Sequence, residues 1–334
     1  MKASVKFIKL KYLLFGFVCS LLVALPVRVY QIFSIVEKDT GFFSRKSPTI
    51  PLLYGFLAIV TISIIALSYL SAEIPSRGLS MKKNKLLGIA SVIFGAGLIA
   101  NISRETTVLL KNLTSKAPLI RHGSLLELFS QQGGIVVPVK IVVAFLGAIY
   151  LFLFSFSHFG RKSSYKEQKV LALTPVLWAM CGLIICLMQE ISYIKVSELM
   201  IEICFYVFVM LFLMSFAKIS SSISDKPVMW HIFAFGLPAA LFGILSSVPR
   251  FMLLLSGNGL VSGYPFDLSS LAAATFIIMY IFASLGLGFN GRNSEKGKLQ
   301  NREEDIPDEA EALMNNSLTD SETQEEDTDE TSGL

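Results

Sequence analysis

Apolar residues form eight long stretches along this chain, and mostly short polar segments separate them. The stretches cover about 12–34, 50–71, 86–103, 134–157, 170–189, 199–217, 228–249 and 268–289. A helix needs roughly 20 mostly apolar residues to cross about 30 Å of hydrocarbon. We expect helices rather than strands, because an open strand leaves its backbone polar groups unsatisfied in lipid. The pattern predicts an all-α integral membrane protein, a bundle of about eight transmembrane helices within residues 1–290.

The first stretch has a second interpretation, as a secretory signal peptide, because four lysines precede it: Lys2, Lys6, Lys9 and Lys11. A signal peptide has a short apolar region followed by a cleavage site of small residues. No such site follows here, and the apolar character continues past Arg28 to Val36. We therefore expect this stretch to be retained as a helix.

Composition supports the membrane assignment and shows where the charge lies. Of the 334 residues, 53% are hydrophobic and 16% are charged, whereas about 25% are charged in soluble domains. Residues 303–334 hold thirteen acidic and no basic side chains, so residues 1–302 hold all 29 basic ones against twelve acidic ones. The basic residues flank the apolar stretches, which points to a bilayer with anionic lipids as the partner and not to nucleic acid.

The distribution of basic residues predicts the orientation of the helices. Eighteen Lys and Arg lie at the two termini and in the connections on the same side, and eleven lie on the other side. Basic connections stay in the cytoplasm. The sequence therefore predicts a multi-pass protein of the cell (plasma) membrane with both termini in the cytoplasm.

The C-terminal segment 291–334 is basic at first and then strongly acidic, with few aromatic residues. Such a composition cannot bury enough apolar surface to fold, so we predict a disordered cytoplasmic tail. It serves either as a solvated tail or as a docking segment for a cytoplasmic protein. The sequence leaves both open, as it does the oligomeric state.

A short pattern occurs twice, after the first and the seventh stretch. An arginine at the helix end, Arg28 or Arg250, is followed twelve residues later by a hydroxyl residue, a glycine and an aromatic residue. These repeated turns are Thr40-Gly41-Phe42 and Ser262-Gly263-Tyr264. Glycine permits the tight turn that reverses the chain, and an aromatic residue suits the membrane interface. This repeated pattern is either an internal repeat of the fold or a chance recurrence.

The arginines are the candidate functional residues, because charged groups among apolar neighbours usually face the bundle interior. Arg28, Arg104 and Arg250 lie at equivalent helix ends, and Lys140 lies near the same level. Their candidate acidic partners are Glu190, Glu198 and Glu202. Two hypotheses stand: an outer ionic cluster that holds a ligand, or arginines that form structural ion pairs or extend to lipid headgroups.

The arginine positions, Thr-Gly-Phe-Phe at 40–43 and Pro-Arg at 249–250 also resemble those of uncharacterised multi-spanning membrane proteins from Gram-positive, gut-type bacteria. The resemblance covers these short stretches and the helix plan. It implies a bacterial membrane setting and no activity.

Motifs of catalysis are missing from the sequence. It has no Walker A loop, no His-Glu-x-x-His and no Gly-x-Ser-x-Gly. Its four cysteines and three histidines are scattered without metal-ligand spacing, so we assign no catalytic residue, metal or cofactor. The sequence favours a non-enzymatic sensor, assembly or structural component. The alternatives are a permease for a small anionic solute that uses the outer arginines and, with the least support, an intramembrane enzyme.

Overall fold

The computed structural model describes residues 10–37, 43, 47–71, 84–116, 135–159, 168–188, 198–221, 229–257 and 266–284. These residues fold into eight α-helices at the eight predicted positions. In order they are α1 (Leu10–Ser34), α2 (Thr49–Leu70), α3 (Lys85–Lys116), α4 (Val136–His158), α5 (Thr174–Leu187), α6 (Leu199–Ser220), α7 (Met229–Leu255) and α8 (Leu268–Ser284). A 3-10 turn, Leu171–Leu173, leads directly into α5. The tail 291–334 lies outside the described residues.

Length and composition qualify six of these helices to cross a membrane: α1, α2, α3, α4, α6 and α7. The apolar segment that contains α5, Leu171–Leu187, and the helix α8 are shorter, at 17 residues each. The described part of the chain is therefore consistent with a helical membrane protein.

Helix α3 is longer than the predicted span, which ended near residue 103. It continues to Lys116, through residues such as Glu105, Thr106 and Thr107. Hydropathy detects only the lipid-crossing part of a helix, and polar residues with adequate helix propensity let it continue. Residues 104–116, which the prediction placed beyond the span, therefore belong to α3, and residues 117–134 lie outside the described part of the chain.

Helices α3 to α8 form a closed ring. Each packs against the next, and α8 returns to pack against α3. Helices α1 and α2 pack against each other and lie outside the ring, where both contact α7. Many large apolar side chains of α1 and α2, such as Phe15, Leu22 and Ile59, are exposed. Such faces suit contact with lipid chains.

Aromatic side chains fill the ring. Phe94 of α3 packs edge-on against Trp178 of α5, and Phe216 of α6 packs edge-on against Phe276 of α8. We call the following buried set the aromatic core: Phe94, Tyr150, Phe154, Trp178, Tyr206, Phe212, Phe216, Phe276 and Tyr280. Edge-to-face pairs of this kind add stability beyond the area they bury.

Helix α7 accommodates its neighbours with small residues. A Cβ atom at Gly243 would lie 2.9 Å from Cε2 of Phe205, and one at Gly236 would lie 2.9 Å from Cδ2 of Phe212. Both distances are too short for a methyl group, so these glycines let the rings of α6 approach the backbone of α7. The helix is continuous from Met229 to Leu255, although Pro238 and Pro249 lie inside it.

Candidate functional site

The polar residues of interest lie at one end of the bundle, where α1, α3, α5 and α7 end and α2, α4, α6 and α8 begin. We call this the ionic end and the opposite one the basal end. Arg28 is in the last two turns of α1, Glu198 directly precedes α6, and Arg250 is near the end of α7. Helical spacing places Glu198 and Glu202 on one face of α6, since they are four residues apart.

A single carboxylate joins the two repeated arginines. Nη2 of Arg28 donates to Oε1 of Glu198 at 2.6 Å, and Nη2 of Arg250 donates to Oε2 of Glu198 at 2.7 Å. Nε of Arg250 adds a second bond to Oε2 at 3.1 Å. Arg250 also contacts Oε1 of Glu202 at 2.6 Å. We call Arg28, Arg250, Glu198 and Glu202 the four-residue network.

The network is neutral and largely buried. The side chains of Arg28, Glu198 and Arg250 are 0%, 1% and 4% exposed, whereas that of Glu202 is 19% exposed. Two guanidiniums balance two carboxylates, and the low dielectric of the interior strengthens their attraction. Removal of one partner from such a network costs far more than an exposed ion pair would, because it leaves a buried charge uncompensated.

Neighbouring side chains extend the network toward α2 and α5. Nη1 of Arg28 donates to Oε1 of Gln31 at 3.1 Å, and Nε2 of Gln31 donates to the backbone oxygen of Thr49 at 2.9 Å. The thiol of Cys186, in α5, lies 4.0 Å from Oε2 of Glu202. Hydrogen bonds and ion pairs from this one cluster therefore reach α1, α2, α6 and α7.

A second polar group connects α3 with the start of α8. Nη1 of Arg104 donates to the backbone oxygen of Phe266 at 2.7 Å, and Nη2 donates to Oδ1 of Asn101 at 3.0 Å. Asn101 in turn donates to the hydroxyl of Ser269 at 3.2 Å. The backbone N–H of Ser269 donates to Oδ1 of Asp267 at 3.0 Å, so Asp267 caps the first turn of α8.

Lys140 forms a separate ion pair with Glu105, in which Nζ lies 2.6 Å from Oε1. This pair links α4 to α3. In the second polar group, Arg104 and Asp267 likewise carry one positive and one negative charge. Both polar groups at the ionic end are therefore balanced in charge.

The structure brings four of the six candidate ionic residues together and places one elsewhere. Arg28, Arg250, Glu198 and Glu202 share the four-residue network, whereas Arg104 belongs to the second polar group. The sixth candidate, Glu190, and the six repeated turn residues Thr40, Gly41, Phe42, Ser262, Gly263 and Tyr264 lie outside the described residues. Among the described residues near the first of these segments, Val36 and Phe43 form an isolated antiparallel bridge.

Sequence reasoning did not identify Gln31 or Glu105 as part of these sites. Gln31 could have been identified from its spacing, because a residue three positions after Arg28 lies on the same helix face. Glu105 carried none, since its partner Lys140 comes from a different helix. Within the described residues, no group of three His, Cys, Asp or Glu side chains is arranged to hold a metal ion.

Comparisons of this chain with protein-family models, curated proteins and solved structures find no match.

Proposed function

We propose that this protein is a non-enzymatic structural, assembly or sensor component of the plasma membrane, with eight spans and both termini in the cytoplasm. In this orientation the ionic end faces outward. The observation that carries the proposal is the double use of Glu198, whose two oxygens accept from Arg28 and Arg250. Because both guanidinium groups bind Glu198, they link α1 and α7 to the start of α6, and the carboxylates of the network already balance their charge.

The ring interior adds support for a role other than transport. A permease needs a water-filled path from the outer arginines toward the middle of the membrane, and the aromatic core occupies the centre of the ring. Transport sites also tend to form where a membrane helix is broken. Helix α7 contains the sequence Phe-Gly-Leu-Pro at 235–238 yet runs through it without interruption.

A permease or binding component for a small anionic solute is the second candidate. The guanidinium group suits carboxylate and phosphate, and Arg250 reaches Glu202, the network member with the most exposed side chain. An anionic solute would have to compete with Glu202 for Arg250. The two functions therefore differ in whether Arg250 exchanges partners.

Thermal unfolding of the purified protein in the presence of anions separates these functions. A ligand that binds only the folded state raises the unfolding temperature in a saturable way. For a structural network we expect acetate, succinate, phosphate and sulfate, at matched ionic strength, to shift the midpoint by no more than chloride does. A saturable rise with one anion, lost in Arg250→Gln and retained in Lys111→Gln, would favour the permease. Lys111 is also basic and lies on α3, two turns beyond Arg104.

The acidic tail is the proposed docking segment for a cytoplasmic protein, and its charge pattern is the basis for this proposal. Deletion of 303–334 is expected to abolish the cellular role of a tail-dependent adaptor and to leave a permease working. An intact phenotype after this deletion, with the protein still at normal abundance in the membrane, would contradict the adaptor role.

A further inference from the structure

An open apolar groove lies between the middle of α4 and the segment that leads into α5. Its volume is about 420 Å³, within the range of small-molecule sites. The side chains that line it are Leu146, Gln168, Lys169, Val170, Leu171 and Thr174. It is separate from both polar groups at the ionic end, and the proposed function does not involve it.

The groove lies within the thickness that α4 crosses. Leu146 is ten residues after the start of α4 and twelve before its end, so about 18 Å of helix separates it from the basal end at 1.5 Å per residue. The start of α5 reaches the same level, because a Cβ atom at Gly147 would lie 3.5 Å from the backbone nitrogen of Pro175. Helix α5 therefore begins beside the middle of α4.

Lys169 lies nearer to the basal end than Leu146 does, but it does not reach the level where α4 ends. Residues 168–173 form a compact turn, in which the N–H of Ala172 bonds to the oxygen of Gln168 and that of Leu173 to the oxygen of Val170. At about 2 Å per residue, the six residues from Lys169 to Pro175 cover at most about 12 Å. From Gly147 to His158, α4 covers about 17 Å. The backbone of Lys169 thus lies on the membrane side of the end of α4.

Lys169 is exposed on the surface of the bundle, and a lysine at this depth is stabilised by an anionic partner. Among the described residues, no carboxylate lies within ion-pair distance of Lys169. Ionisable groups within the membrane are costly and usually mark a binding site or pathway. A lysine can extend its ammonium toward the headgroup level while its methylenes stay in the apolar region.

The remaining surface of the groove suits an acyl chain. Leu146 and Leu171 supply apolar walls, and Val170, which is 83% exposed, offers an apolar side chain that an acyl chain can cover. The amide of Gln168 can donate to a phosphate or glycerol oxygen near the ammonium of Lys169. The groove thus has a positively charged polar end and an apolar end. This combination suits an anionic amphiphile.

We propose that this groove binds a phospholipid with an anionic headgroup, from the leaflet on the basal side of the bundle. Lys169 contacts the phosphate, and one acyl chain lies along Leu146 and Leu171. The preceding sequence, residues 161–167, holds three basic side chains and one acidic one, Glu167, so it adds net positive charge to the same connection. This site does not depend on whether the ionic end holds a solute.

Native mass spectrometry of the full chain, released from detergent, tests the site. The probes are phosphatidylglycerol and phosphatidylcholine with the same acyl chains, in equal amounts. We expect the protein to retain phosphatidylglycerol at least five times more often than phosphatidylcholine. Lys169→Gln should remove this preference, and Leu146→Trp, which fills the groove, should reduce retention of both lipids.

Lys218→Gln is the matched control, because Lys218 is an exposed lysine near the basal end of α6 that does not line the groove. It should keep the preference of the unaltered protein. An unaltered protein without preference would overturn the proposal and indicate that another occupant, such as a segment of the chain, covers the groove. Equal losses in Lys169→Gln and Lys218→Gln would also overturn it, since they would show general attraction to basic charge.

Discussion

Arg28 of α1 donates a 2.6 Å hydrogen bond to Glu198, which precedes α6 and lies 170 residues later in the sequence. Helices α1 and α2 pack on the ring mainly through α7. The bond therefore joins the outer pair of helices to a second helix of the ring. Because both side chains are buried, it makes the position of α1 sensitive to the charge of residue 198.

Glu198→Gln should destabilise the protein more than any other neutral replacement in the network. It removes the carboxylate charge that both arginines share, so part of their positive charge is buried without compensation. We expect this to lower the free energy of unfolding by about 3–5 kcal/mol. Unfolding in a detergent titration measures the change in free energy. Glu105→Gln, which breaks only the Lys140 pair at a more exposed carboxylate, is the control and should cost less. Equal costs would contradict a central role for Glu198.

Arg28 and Glu198 should show energetic coupling in a double-mutant cycle. We expect the pair Arg28→Gln and Glu198→Gln to lose less stability than the sum of the single changes, by about 0.5–3 kcal/mol. The reason is that each single change already removes the same hydrogen bond. Arg104→Gln with Glu198→Gln is the comparison, because Arg104 belongs to the second polar group. Its two effects should add.

Gly182→Ala should disturb the contact between α5 and α6. A Cβ atom at Gly182 would overlap the ring of Tyr206, which is buried against Trp178. Relief of such overlap through shifts of side chains or backbone costs about 1–3 kcal/mol. Gly55→Ala is the matched control, because nothing lies within 4 Å of a Cβ atom at that helical position. An unchanged stability of Gly182→Ala would show that α5 and Tyr206 pack more loosely than this contact indicates.

Asp267→Ala should weaken the start of α8. The carboxylate accepts from the N–H and hydroxyl of Ser269 and from the hydroxyl of Ser270. Loss of a cap of this kind costs about 0.5–2 kcal/mol. Hydrogen exchange of the first turn of α8 measures the change, and Asp267→Asn should retain part of the protection. Equal exchange in all three proteins would contradict the capping role.

The sequence predicted the positions of the helices well because lipid imposes a single requirement on each segment. Most described helix ends fall within four residues of the predicted boundary. Three ends differ by more. Helices α3 and α7 end later than predicted, because a helix such as α3 can leave the apolar region without losing its backbone hydrogen bonds. The described part of α8 ends at Ser284, before the predicted boundary at 289. The closed ring was not predicted, since hydropathy carries no information about which helices are neighbours.

All four members of the four-residue network were among the predicted candidates, but the way they pair was not predictable. A charged residue among apolar neighbours is conspicuous, so Arg28 and Arg250 could be identified from their surroundings. Their common partner could not, because Glu198 and Glu202 are equally placed on one helix face and only the fold decides which carboxylate lies between two arginines. Lys169 was counted simply as a basic connection residue, since its depth depends on where α5 meets α4.

Solvent access to Cys186 tests most directly whether the four-residue network is closed. Its thiol lies 4.0 Å from Glu202, so it reports on the site without a change to any charged residue. Cys19, Cys181 and Cys204 would be replaced by alanine, and intact cells would be treated with a membrane-impermeant maleimide. Ser256→Cys, added to a version that also lacks Cys186, is the positive control, because Ser256 is exposed just after α7. The structural account predicts labelling of the Ser256→Cys control and none of Cys186. Rapid labelling of Cys186, slowed by a small anion, would contradict it and favour an open solute site.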